Sequence, residues 1–126
     1  MVVTDHDSVM KVAADIKRDL GEIDLAVLNA GIYKPLRADL EFSAANCIDT
    51  MAENHSGVVS GIDAMLPDMI ARDGGHIAIV SSVAGFVGLP RGTSYSPSKA
   101  AAIALAEALV HDLTATNVKI SVINPG

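Results

Sequence analysis

The chain has a single cysteine, Cys47, so an internal disulfide is excluded. Basic residues are few: nine Lys and Arg stand against fifteen Asp and Glu, a formal net charge of -6. No basic cluster forms along the sequence, which argues against a nucleic-acid partner. The four histidines, His6, His55, His76 and His111, are scattered without ligand spacing, so no metal site is expected. Long apolar runs are also missing. Ala100 to Ala106 is stopped by Glu107, well short of the ~20 residues a membrane span needs. The start, MVVTDHD, is acidic and not signal-like. Asn54-His55-Ser56 matches a glycosylation sequon, but nothing else points to secretion. These absences lead to a cytoplasmic, soluble chain with neither membrane nor nucleic acid as partner. No internal repeat, low-complexity segment or linker interrupts it.

What is present is apolar surface: hydrophobic residues make up 50% of 126, within the size of one domain. That richness suits buried parallel strands covered by helices. Met1 to Thr4 reads as the tail of a strand. Asp5 or Asp7 can cap a helix in which Val9, Val12, Ala13, Ile16 and Leu20 recur at three- and four-residue steps, and Gly21 is placed to end it. Asp24–Asn29 is a short apolar run, a buried strand, and Ile32 to Leu40 is a loop. Ser43 to Arg72 reads as one long helix with a break expected near Gly57 or Gly61, and Pro67 is expected to kink it or mark a late break. His76–Ser81 is the second strand and Val118–Ile123 the third. Between them a helix is expected from Thr93 or Ser94 to about Thr116, apolar almost all round and so buried on more than one side. Strands alternating with helices imply right-handed crossovers and a parallel sheet, an α/β fold. Ligands of such sheets bind outside the carboxyl ends of the strands. Asn29, Ser82 and Pro125-Gly126 all fall there.

The chemistry centres on Ser82 to Lys99, SVAGFVGLPRGTSYSPSK. Tyr95 and Lys99 are four apart, hence on one face of a helix. A phenol loses its proton near pH ~10, and a close cation favours the phenolate. That suits a tyrosine for acid–base work near neutral pH. The loop brings in the Ser82 hydroxyl.

Five segments together resemble the short-chain dehydrogenase/reductase family. Asn29-Ala30-Gly31 is similar to its NAG motif, and Asn54-His55-Ser56-Gly57 to its N-x-x-G. Ser82 precedes Tyr95 by the family's usual gap. Tyr95 to Lys99 is similar to its Y-x-x-x-K, and Asn124-Pro125-Gly126 to its N-P-G turn. The resemblance spans essentially the whole chain. It implies a Rossmann-like NAD(P)-binding domain and hydride transfer between NAD or NADP and a small alcohol or carbonyl substrate. By the same resemblance Tyr95 is the acid–base, Ser82 bonds the substrate oxygen, and Lys99 lowers the pKa of Tyr95 and binds the nicotinamide ribose. Asn54 holds a water linked to Lys99. Asn29, Ala30 and Gly31 lie along the adenosine side, and Pro125 and Gly126 near the nicotinamide. The family's two long helices commonly pack against their copies, which implies a homo-oligomer.

The departures from the family are at the ends. No G-x-x-x-G-x-G or G-x-G-x-x-G occurs, so the turn that holds the pyrophosphate has no counterpart. The strand whose end selects NAD or NADP has none either. Val2 stands where the family often has Asp. Residues 1–126 therefore read as the central and catalytic portion of such a domain. Weak or undetectable NAD(P) binding and poor solubility are expected of this stretch by itself. The competing readings are a non-catalytic remnant serving as a dimerising module, and a serine hydrolase on Ser82. The second lacks a G-x-S-x-G.

Overall fold

The computed structural model describes residues 1–126. Helix α1 spans His6–Leu20. Asp5 caps it by accepting from Ser8 N at 3.2 Å, which satisfies one of the amides a helix start leaves unpaired. Gly21 ends it at φ 94°, in the region where a side chain is disfavoured. Three parallel strands follow in chain order, β1 (Leu25–Leu28), β2 (Gly75–Val80) and β3 (Val118–Ile123). Leu28 pairs with Ile79 and Val80 with Ile123, so the strands finish level at their carboxyl ends.

The expected long helix over 43–72 is present as two helices joined by a wide turn. Ser43 caps α2 (Ala44–Met51), its Oγ accepting from Asn46 N at 3.1 Å. Residues Ala52–Ser56 form a π-helical turn, and α3 runs Gly57–Ala71. The irregularity ends immediately before Gly57, near where the break is expected. Pro67 does not end the helix, which continues to Ala71. Tyr95–Asp112 form α4, with Tyr95 its first residue and Pro97 in its first turn, where the missing N–H matters least.

The core lies between these helices and one face of the sheet. Val58, Ile62 and Met69 of α3 meet Ile77 and Ile79 of β2, Ala102 and Ala106 of α4, Leu113 and Val118. Met69, Ile77 and Ile79 are at most 1% exposed, and each such side chain contributes about 1.5–3 kcal/mol by leaving water. The opposite sheet face is open: Leu25 and Val27, which alternate with buried Ala26, are 56% and 55% exposed.

Two expectations are corrected. Met1 to Thr4 is a turn, not a strand, with Asp5 N bonded to Val2 O at 3.0 Å. The Val3 side chain packs instead where Gly57 offers no Cβ. Helix α4 is not buried almost all round: Ser96, Ser98, Lys99, Ala102 and Ala106 are buried, while Val110 is 48% exposed. The apolar composition of its outer side is not used within this chain. No helix is long and apolar enough to cross a membrane.

Candidate active site

The carboxyl ends of β2 and β3 are laced together beyond the strands. Ser81 N donates to Ile123 O at 2.8 Å, and Val83 N to Pro125 O at 3.1 Å. Ser81 is buried, and its hydroxyl donates to the Lys99 carbonyl at 2.8 Å. The strand end is thereby fixed to the first turns of α4. Ser82 follows with an extended backbone, and its Oγ accepts from Ala84 N at 3.1 Å, which starts a short 3-10 turn at Val83–Gly85. The hydroxyl proton of Ser82 is left for another acceptor.

On α4 the Lys99 ammonium lies 5.6 Å from the Tyr95 ring centroid, the arrangement the four-residue spacing predicts. It donates to Val80 O at 3.1 Å. Lys99 is 4% exposed, and burial holds its pKa below the ordinary lysine value. Tyr95, Lys99, Ser82, Asn29, Gly31, Pro125 and Gly126 line one open cleft of about 380 Å³ at the carboxyl end of the sheet. Ala30 is not among its lining residues. No acidic side chain lines this cleft.

Asn54 does not line the cleft but stands behind it. It occupies the middle of the π-helical turn and is 1% exposed. Its Oδ1 accepts from Ile32 N at 2.7 Å, and its Nδ2 donates to Ile32 O at 2.9 Å. The same Nδ2 donates to Ser98 Oγ at 3.0 Å, and Ser98 donates on to the Tyr95 carbonyl at 2.7 Å. One buried carboxamide thus joins the loop after β1, the wide turn and α4. Gly31 sits against this junction: a Cβ there would stand 3.0 Å from Asn54 Oδ1 and 3.4 Å from Lys99 Nζ.

Three residues of the site carry no motif signal in the sequence. Ser81 and Ser98 act through buried hydroxyls, and only their serine neighbours at a strand end and in a first helical turn hint at them. Tyr33 lines the cleft with its ring against that of Tyr95, the centroids 5.1 Å apart and the planes at 71°. The single clue is that it is one of two tyrosines in the chain.

The family model for short chain dehydrogenases matches residues 1–126. This chain belongs to the short-chain dehydrogenase family. Among curated relatives, the mouse dehydrogenase/reductase SDR family member 7B is 33% identical over 125 residues, covering 98% of this chain and 38% of that protein. The 3-oxoacyl-(acyl-carrier-protein) reductase FabG of Haemophilus influenzae is 32% identical, with 98% and 51% covered. Among solved structures, an NAD+-bound xylitol dehydrogenase superposes with a TM-score of 0.95 at 29% identity, covering 100% of this chain and 48% of that one. A gluconate 5-dehydrogenase from Burkholderia cenocepacia in complex with NADP and tartrate gives 0.93 at 27% identity, with 100% and 49% covered. The chain spans about half the length of these relatives or less. The three parallel strands and flanking helices are therefore the short-chain dehydrogenase form of the Rossmann fold.

Proposed function

We propose that residues 1–126 form the catalytic part of an oxidoreductase that interconverts an alcohol and a carbonyl with NAD or NADP. The observation that carries this reading is the Tyr95 ring beside the Lys99 ammonium in a cleft shared with Ser82. The donor set fits such a cofactor. Lys99 spends one proton on Val80 O, and an ammonium has three, so two remain for ribose hydroxyls. Backbone at Gly31 leaves room that a side chain would take from Asn54 and Lys99. Asn29, Gly31, Pro125 and Gly126 would hold the cofactor along the rim, with Ala30 supporting the turn between the first two. When bound, NAD(P) supplies or accepts the hydride.

The residues of the chain do the rest. Tyr95 gives its phenolic proton to the substrate oxygen during reduction and takes one from the alcohol during oxidation. Ser82 Oγ donates to that same oxygen and orients the substrate. Lys99 stands beside the Tyr95 ring, its ammonium 5.6 Å from the centroid. Asn54 keeps the loop at Ile32 and the turn at Ser98 in place. The outer faces of α3 and α4, with Val59, Ile70 and Val110 each more than two-fifths exposed, support pairing with a second copy.

The test is turnover of a panel of ketones and aldehydes, followed by nicotinamide absorbance, in the protein that carries this chain. Tyr95→Phe is expected to reduce kcat by about 10²–10⁴-fold while cofactor binding measured by calorimetry changes little. Comparable turnover by the phenylalanine variant would remove Tyr95 as the acid–base.

A further inference from the structure

Tyr33 belongs to the loop after β1, a segment that holds none of the residues given a catalytic role above. Its ring is nevertheless one wall of the cleft and meets Tyr95 edge to face at 5.1 Å and 71°, the arrangement that aromatic quadrupoles favour. The contact is not the accident of a loose loop. On one side of Tyr33, both backbone groups of Ile32 are bonded to the buried Asn54 carboxamide, at 2.7 and 2.9 Å. On the other, the Lys34 carbonyl accepts from the hydroxyl of Ser94, itself 2% exposed, at 3.2 Å. Leu36, 7% exposed, donates its N–H to Arg91 O at 3.0 Å. The residues on either side of Tyr33 are tied down, while Tyr33 itself is 56% exposed. Burial therefore does not explain the position of the ring.

Tyr95 needs such a partner. It is the first residue of α4, so no earlier helical turn packs against it. Within the chain its ring has the Lys99 ammonium at 5.6 Å and Tyr33 at 5.1 Å. A cation above a ring restrains tilt but leaves the ring free to swing about its first side-chain bond. An edge-to-face neighbour blocks that swing. We propose that Tyr33 is a positioning residue for Tyr95, its ring keeping the phenol oxygen presented to the cleft that Ser82 shares. This rests on the acid–base reading of Tyr95 above. It adds that kcat, not KM, carries the contribution of Tyr33, because the group it orients acts on the reacting proton.

Three variants and two readouts test it. In the 126-residue chain with isotope-labelled tyrosine, Tyr33→Phe leaves Tyr95 as the one labelled ring. Its NMR signals should move when Tyr33 becomes Leu, which has bulk but no ring current. Tyr33→Met takes the place of Tyr33→Leu if the latter does not fold. In the active protein, Tyr33→Leu should lower kcat about fivefold, which is about 1 kcal/mol at about 1.4 kcal/mol per decade. KM should stay within about twofold, and Tyr33→Phe should restore the wild-type kcat. Unmoved Tyr95 signals, or equal kcat in the leucine and phenylalanine variants, would overturn the proposal. So would a phenylalanine variant as slow as the leucine one, since the effect would then belong to the Tyr33 hydroxyl. Full activity of Tyr95→Phe is a separate result: it removes the acid–base reading while the NMR shift still reports the contact.

Discussion

The Lys99 ammonium has given up water for one carbonyl, Val80 O at 3.1 Å. Burial disfavours its charged form, so its folded pKa lies below the 10.5 it regains on unfolding. Between those two values the unfolded chain binds more protons than the folded one. The stability that follows is fully present above 10.5 and is lost as pH falls through the lowered folded value. Lys99→Met should abolish this alkaline rise, measured as urea midpoints across that window; an unchanged pH slope would show that Lys99 is not its source. Tyr95, Lys99 and Ser82 were legible in the sequence because their relation is local: one helical spacing and one short loop. Asn54 was legible only through a family motif. Its bonds to Ile32 and Ser98 join segments that only the folded chain brings together, as is the meeting of Tyr33 with Tyr95.

Among the elements, the strands were the clearest in the sequence. An apolar run bounded by turn residues has few other ways to bury itself, and each strand lies within about a residue of its expected bounds. The helices were clear in extent but not in detail. Nothing in the composition of Ala52–Ser56 announces the type of turn, and the Asn54 bonds made from within it reach a loop distant in sequence. Pro67 is expected to kink the helix or mark a late break; the helix continues past it to Ala71, with Leu66 and Met69 packed in or against the core. Met69 just beyond is 1% exposed. The 3-10 turn after Ser82 illustrates how closely elements approach at the site. A Cβ on Gly85 would stand 2.9 and 3.0 Å from the Lys99 carbonyl carbon and oxygen, and 2.7 Å from Ile103 Cδ1. Helix backbone cannot yield as a flexible side chain can. Gly85→Ala should therefore lower unfolding stability by about 1–3 kcal/mol and reduce kcat by shifting Lys99. Denaturant titration alongside kinetics reads both; a fully stable, fully active alanine variant would mean that α4 moves freely here.

At the scale of the molecule, the sheet is covered on one side. Strand β1 is an edge, and Leu25 and Val27 show more than half their surface. Unpaired strand groups beside apolar side chains invite another strand. The 126-residue chain should self-associate as its concentration rises, and Val27→Lys should suppress this in sedimentation experiments without lowering the unfolding midpoint. Equal association of the variant would place the contact elsewhere, with the outer faces of α3 and α4 the next candidates. The wide turn at Ala52–Ser56 has a consequence for the whole as well. An α-helix advances about 100° per residue, so two helices joined without irregularity share one angular phase. The π-helical turn takes in one residue more than an α turn and so sets α3 at its own angle to α2. Asn54 can then face the loop at Ile32 while Ile62 and Met69 face the sheet. A chain one residue shorter at this point could keep its carboxamide at the site or its side chains in the core, but not both.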